Sequence, residues 1–224
     1  MVKDLVVIGT GGLDIVNLIE DINSEKLTYN FIGFLEKDIS KHGTELLGKP
    51  VLGGDEMLLT DFKHCAVVNN VMANPRLHAT ITKALIEDYG MTDFPSLVHP
   101  NVETRGASYG KGNIFYSNTK LGPFAKIGDF NISYASSIAH ETILGDYNLM
   151  AGTIFGSRCK IGSYNLFGNR SVVTNSCRIG DDNIIGVCSV VMQHVKNGHH
   201  LLGYPAIDFD EFARKYMTKK ASKG

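Results

Sequence analysis

The sequence lacks an excess of charge of either sign: 22 Lys and Arg stand against 23 Asp and Glu, for a net charge of −1. Without a positive surplus there is no field to hold a phosphate backbone, and there is no acidic tail, so nucleic acid is not an expected partner. No apolar run approaches the roughly 20 residues that span a bilayer. The opening run in "MVKDLVVIGTGG" is too short for a signal peptide, and a cytoplasmic protein without membrane contact is expected. The four cysteines, Cys65, Cys159, Cys177 and Cys188, form no CxxC pair and have no histidine at metal spacing. Neither a metal site nor a disulfide framework is predicted, and the thiols read as reduced and structural.

What is present divides into two patterns, and 224 residues suffice for two domains. The segment "DLVVIGTGGLDIVNLIEDI" is a buried-strand run, a glycine turn, and apolar residues at Ile15, Leu18, Ile19 and Ile22 on one helical face. A second strand is expected in "YNFIGFLEKD" and a third over Cys65 to Val71, with a helix starting at Pro75. Strands alternating with helices predict a parallel, Rossmann-like α/β domain over residues 1–95. Gly9, Gly11 and Gly12 would let a backbone turn approach a ligand phosphate, with the next helix N-terminus supplying N–H groups. A tight turn without a ligand explains the same glycines, since Asp14 stands where a dinucleotide fingerprint has its third glycine. Glu36, Lys37 and Asp38 end the second strand, where they could hold a ribose or base edge or form a solvated turn. Asn69 and Asn70 end the third, near where a sugar diphosphate would lie, or cap a turn.

From about Val98 the helical period disappears. Apolar residues recur at Leu121, Ile127, Ile132, Ile138, Leu144, Met150, Phe155, Ile161, Phe167, Val173, Ile179, Ile185 and Val191. The steps are six residues, apart from two of five, and glycine follows at many of these positions. A period of six fits neither a helix nor a hairpin ladder. It is the hexapeptide β-helix signature, in which three units close one triangular coil and the repeated apolar residue points inward. Residues eighteen apart become neighbours, which makes Cys159 and Cys177 one stacked pair of small residues. The β-helix is expected over residues 96–207. A tail follows over 208–224, with a short amphipathic start and a basic, frayed end.

An α/β domain, a hexapeptide β-helix, "IAHETILGDY" and the closing "LLGYPAI" together resemble the acetyl-CoA-dependent sugar acetyltransferases. These include bacterial nucleotide-amino-sugar N-acetyltransferases and sialic acid O-acetyltransferases. The resemblance runs from "VVIGTGG" to "GYPA" and implies a left-handed coil, a homotrimer, and active sites between neighbouring β-helices. It implies that His140, two residues after Ile138, is the general base, with Glu141 as its orienting partner. It assigns Gly9, Gly11 and Gly12 to a nucleotide diphosphate and sets Glu36, followed by Lys37, where relatives have an acidic pair that contacts the base or ribose; Asn70, from its place at the end of the third strand, is a further candidate for the substrate. It assigns Gly168, Gly186, Gly203, Tyr204, Pro205 and Ala206 to acetyl-CoA, used as a cosubstrate. Many relatives read G-x-G-G-H-G where this chain has Leu13 and Asp14 in the last two positions, and carry a second histidine where it has Leu149.

Histidine suits the base because its ordinary pKa, about 6.5, lies near working pH. A carboxylate on its other ring nitrogen would fix the tautomer and stabilise the imidazolium. A solvated turn pair is the plain alternative for His140 and Glu141. The expected activity is acetyl transfer to the amino group of a nucleotide-linked amino sugar, by direct attack without an acyl-enzyme. The rivals are O-acetylation of sialic acid or a related sugar, and a binding or scaffold trimer that has lost efficient transfer. Of the remaining histidines, His99 reads as part of the link between domains, and His194, His199 and His200 as residues near the end of the coils.

Overall fold

The computed structural model describes residues 2–212 and Arg214. The rest of the tail, with its expected basic end, lies outside the described residues. The first part contains β1 (Lys3–Ile8), α1 (Asp14–Glu25), β2 (Tyr29–Leu35), β3 (Glu45–Leu46), β4 (Lys49–Gly53), β5 (Ala66–Asn69) and α2 (Pro75–Glu87). The strand order is β3-β4-β2-β1-β5, parallel except for β3 against β4. α2 starts where Asn74 accepts the Leu77 N–H at 2.7 Å and Pro75 takes the first turn.

The β3–β4 hairpin is an element the apolar pattern does not predict. Leu47 and Gly48, at φ 47° and 73°, make a two-residue turn, and Pro50 follows on the strand that pairs with β2. Proline among glycines reads as loop unless its N–H side is known to face away from the sheet.

From Leu97 onward the chain winds as a left-handed parallel β-helix with three faces. Face I contains Leu97–Val98, Ile114–Phe115, Ile132–Tyr134, Leu149–Ala151, Leu166–Phe167, Ile184–Ile185 and His200–Leu202, closed by antiparallel Ile207–Asp208. Face II contains Lys120–Leu121, Ser137–Ile138, Ile154–Phe155, Val172–Val173 and Val190–Val191. Face III contains Ser108–Tyr109, Lys126–Ile127, Ile143–Leu144, Lys160–Ile161 and Arg178–Ile179.

Along face I the inward register is Phe115, Ser133, Met150, Phe167, Ile185. The coil is therefore 18 residues, then 17 twice, then 18. This corrects the expectation for Ile132, which does not point into the coil. Ser133 takes that position, fully buried, its hydroxyl 3.1 Å from Thr119 Oγ1, so the buried polar group is satisfied. Ile132 turns outward instead, and with Ile114 and Leu149 joins the core formed with Leu5, Val7, Ile15 and Leu18 of the α/β part. Burying each such side chain contributes about 1.5–3 kcal/mol. The α/β domain thus sits on face I.

Inside the three edges run columns of small or polar residues. Asn113, Asn131, Asn148, Asn165 and Asn183 stack at the III/I edge, each Oδ1 accepting backbone and side-chain N–H from the next at 2.9–3.1 Å. Thr119, Ser136, Thr153, Ser171 and Ser189 fill the I/II edge, all fully buried. Ala125, Thr142, Cys159 and Cys177 fill the II/III edge, which places the two cysteines as the expected stack. On the outside of the III/I edge, Phe130, Tyr147 and Tyr164 stack at 5.2 and 5.5 Å. Arg76 of α2 lies 3.8 Å over Tyr164 and pairs through two nitrogens with Asp182. These contacts fix the rotation of the first domain on the coil.

Candidate active site

The carboxyl ends of β1, β2 and β5 meet at one crevice, where open α/β sheets present ligands to helix N-termini. The glycine turn there is shaped from below. Gly9 has φ 86°, and a Cβ on it would stand 2.7 Å from Val71 Cγ2; one on Gly12 would meet Met72 and the Asn70 amide. Gly11 differs, since nothing among the described residues lies within 4 Å of its Cβ position. The turn is thus closed toward the protein and open on one side, as close approach of a ligand requires.

Glu36 is brought to this turn, in a role the sequence does not show. Its Oε2 accepts from Thr10 N at 3.2 Å, Thr10 Oγ1 at 2.5 Å and Lys41 Nζ at 3.3 Å. Burial alone would raise this carboxyl. The hydrogen bonds from Thr10, the Asp38 backbone and Lys41 outweigh it and hold the group at about 2. Glu36 is an anchor of the glycine turn. Lys37 is exposed at the rim. Asn70 is fully buried and donates to Gly12 O at 2.8 Å, while its Oδ1 has no partner among the described residues. Asn69 is a packing residue, bonded to His78 O and Thr82.

Two hollows adjoin the crevice along face I. One, of about 390 Å³, lies against α1 and is lined by Asp14, Asn17, Asp21, His99 and the stacked Tyr116 and Tyr134. The second, of about 560 Å³, is mostly apolar and is lined by Met72, Tyr134, Leu149, Leu166, Gly168 and Asn169 among others. Leu149 therefore faces the α/β side of the coil.

His140 and Glu141 are elsewhere. They form the turn between Ser137–Ile138 and Ile143–Leu144, on the II/III edge. Glu141 sits at φ 59°, a region costly for a side-chain-bearing residue. Backbone bonds to the coils on both sides hold it: Glu141 N to Pro123 O and Arg158 N to His140 O, each 3.1 Å. Gly122 leaves room for this turn, since a Cβ there would stand 2.6 Å from His140 N. The His140 Nδ1 is 3.1 Å from Glu141 Oε1, and both side chains are about half-exposed. In a triangular coil, the II/III edge is opposite face I. One chain therefore brings Gly9, Gly11, Gly12, Glu36 and Asn70 together, and keeps His140 and Glu141 on the far side of the coil from them.

The residues expected along the coenzyme follow a different edge again. Gly168 and Gly186 stack at the I/II edge, and Gly203 continues below them, bonded to Ser189 Oγ at 3.0 Å and to Val190 N through its carbonyl. Tyr204 is exposed, Pro205 follows it through a cis bond, and Ala206 N bonds Val190 O at 2.8 Å. Of the remaining histidines, His99 contacts Asp21, His199 contacts Asp208 and His194 contacts Arg178 N, while His200 is exposed at the start of the last parallel strand of face I. Sequence reasoning missed Thr10, Lys41, Tyr134 and Met72. Only Thr10 had a signal, its place inside the glycine turn. Among the described residues there is no group of three metal-ligating side chains and no helix long and apolar enough to cross a membrane.

No protein-family model and no curated protein sequence matches the chain. Solved structures do match it. A GDP-perosamine N-acetyltransferase from Caulobacter crescentus, solved as a histidine-to-alanine variant with CoA and GDP-perosamine, is 21% identical over 93% of this chain and 97% of that one, with a TM-score of 0.80. The acetyltransferase domain of PglB from Neisseria gonorrhoeae, solved with acetyl coenzyme A, is 21% identical over 93% of this chain and 100% of that one, at 0.80. WeeI from Acinetobacter baumannii is 23% identical over 92% and 99%, at 0.71. The chain shares with these proteins, over nearly its whole length, the fold of an α/β domain followed by a left-handed parallel β-helix.

Proposed function

We propose that the chain is an acetyl-CoA-dependent N-acetyltransferase of a nucleotide-linked amino sugar, acting as a homotrimer whose sites are shared between copies. The observation that carries this reading is the opposition of two half-sites: an open glycine turn on face I and an exposed His140–Glu141 pair on the edge away from it. Neither half suffices for transfer alone. A second copy that places its II/III edge against the I/II edge and cleft of the first would supply the missing base. Support comes also from structural neighbours, one of which holds CoA with GDP-perosamine and another acetyl coenzyme A.

In this reading the glycine turn holds the nucleotide diphosphate and directs the sugar amine toward the neighbour's His140. The amine nitrogen attacks the thioester carbonyl, and a C–N bond forms. His140 Nε2 takes the proton released from nitrogen, while Nδ1 donates to Glu141 and fixes the tautomer. The C–S bond then breaks and the leaving thiolate takes a proton, giving amide and CoA. Direct attack fits the His140 ring, whose side-chain partner is Glu141 and to which no serine or cysteine is hydrogen-bonded among the described residues. Cys159, on the same edge, is inside the coil with its Sγ against Thr174 O, and Cys188 is exposed on the I/II edge.

The test is acetyl-CoA consumption against UDP-, dTDP- and GDP-linked amino sugars, with free sialic acid alongside. Turnover of a nucleotide-linked amine is expected. Turnover of sialic acid alone, or acetyl-CoA binding without turnover of anything, overturns the reading.

A further inference from the structure

The glycine turn leaves unanswered what balances the charge of a diphosphate held there. A helix N-terminus supplies only partial charge, and the acidic residue nearest the turn, Glu36, adds a negative one. Lys41 resolves this. It ends the short 3-10 helix Ile39–Lys41, thirty-one residues from the turn, and its Nζ stands 3.0 Å from Thr10 Oγ1 and 3.3 Å from Glu36 Oε2. Thr10 donates its hydroxyl proton to the same carboxylate, so both of its polar groups and the ammonium converge on one anchor.

The tether does not exhaust the lysine. Lys41 Nζ carries three protons, two of which are directed to Thr10 and Glu36, and its side chain remains 46% exposed. It therefore has both a free donor and access from outside. A lone surface ion pair contributes little to stability, which leaves the placement of this cation over an open turn without a structural purpose of matching size. Beneath the turn, the fully buried Asn70 donates to Gly12 O at 2.8 Å and holds the backbone from inside.

We propose that Lys41 is a binding residue for the diphosphate of the nucleotide sugar, held over the glycine turn by Thr10 and Glu36, which act as positioning residues. This rests on the crevice being a nucleotide site. Lys41 meets the diphosphate as a point charge through its remaining proton. The carboxylate of Glu36 keeps the ammonium from swinging into solvent before the ligand arrives. The preference this builds is for a dianionic diphosphate over an uncharged glycoside.

The test is direct titration of the full chain with UDP, dTDP and GDP at several salt concentrations, for the native protein and for Lys41→Met and Lys41→Arg. Removing one charge-assisted contact should weaken binding of the preferred diphosphate about tenfold in Lys41→Met. It should also flatten the salt dependence, because one screened ion pair is gone. Lys41→Arg should keep the salt dependence and most of the affinity, and all three proteins should unfold at the same temperature. Unchanged affinity in Lys41→Met, or weaker binding with the native salt dependence, overturns the role of Lys41 and leaves the nucleotide crevice standing. A native protein that binds none of the three diphosphates overturns both.

Discussion

The two half-sites are built by opposite means. The crevice of the α/β domain depends on side chains reaching across sequence to one backbone turn: Glu36 and Lys41 to Thr10, Asn70 to Gly12, Val71 beneath Gly9. The His140 turn depends on repetition. Its neighbours in the adjacent coils are other turns of the same shape, and it is held to them by backbone bonds, Glu141 N to Pro123 O below and Arg158 N to His140 O above, with Thr142 Oγ1 donating to Gly156 O. A crevice made of unique contacts can be tuned for one ligand by few substitutions. A repeated edge supplies a rigid position where one exposed residue can change without cost to the fold.

This difference makes the halves separable by mutation. The largest effect is expected from His140→Ala, which should lower kcat by about a thousandfold or more while nucleotide affinity and oligomeric state stay unchanged, as loss of a general base predicts. Steady-state kinetics with nucleotide titration checks this, and a parallel loss of nucleotide binding would break the separation. Gly11→Asp comes next. Gly11 has open space and no left-handed φ, so the fold tolerates the side chain. The added carboxylate repels a diphosphate, and nucleotide affinity should fall about a hundredfold, with CoA affinity unchanged.

The smallest effect concerns how the domains are joined. His78 of α2 is buried, with Nδ1 2.9 Å from Val71 O and Nε2 unpartnered among the described residues. Burial pushes it down to about 4, against a smaller opposing effect of that hydrogen bond. Between pH 6.5 and 4 the unfolded chain binds more protons at this site than the folded one. Stability should therefore fall as pH drops through that window. Glu36, held at about 2, releases its own contribution lower, as pH falls from about 4.5 toward 2. Urea unfolding at pH 7, 5.5 and 4 should show a weaker decline for His78→Phe than for the native chain. An identical decline would show that His78 does not carry it.

The fold was legible because a six-residue apolar period has few structural solutions. Its fine register was not. A five-residue step between Ile127 and Ile138 can fall on either side of Ser133, and only the packing of the α/β domain, which draws Ile132 outward, decides it. The glycines of the first turn were legible because few backbones need so many. Glu36 was visible as an acid at a strand end, but its commitment to Thr10 was not. Lys41 gave no signal, because its position is set by a loop rather than by a period. The separation of His140 from the crevice was invisible too, as no repeat says which edge a neighbouring domain will leave bare.

The central claim is that one chain supplies the crevice and another the base. Mixing His140→Ala with Gly11→Asp tests it, by co-expression and by assay of acetyl-CoA consumption with the preferred nucleotide-linked amino sugar. Each variant alone should be nearly inactive. In mixed assemblies some interfaces join an intact crevice from the first variant to an intact His140 from the second, and the account predicts that activity returns. A mixture that forms mixed oligomers and stays as inactive as its components would contradict it.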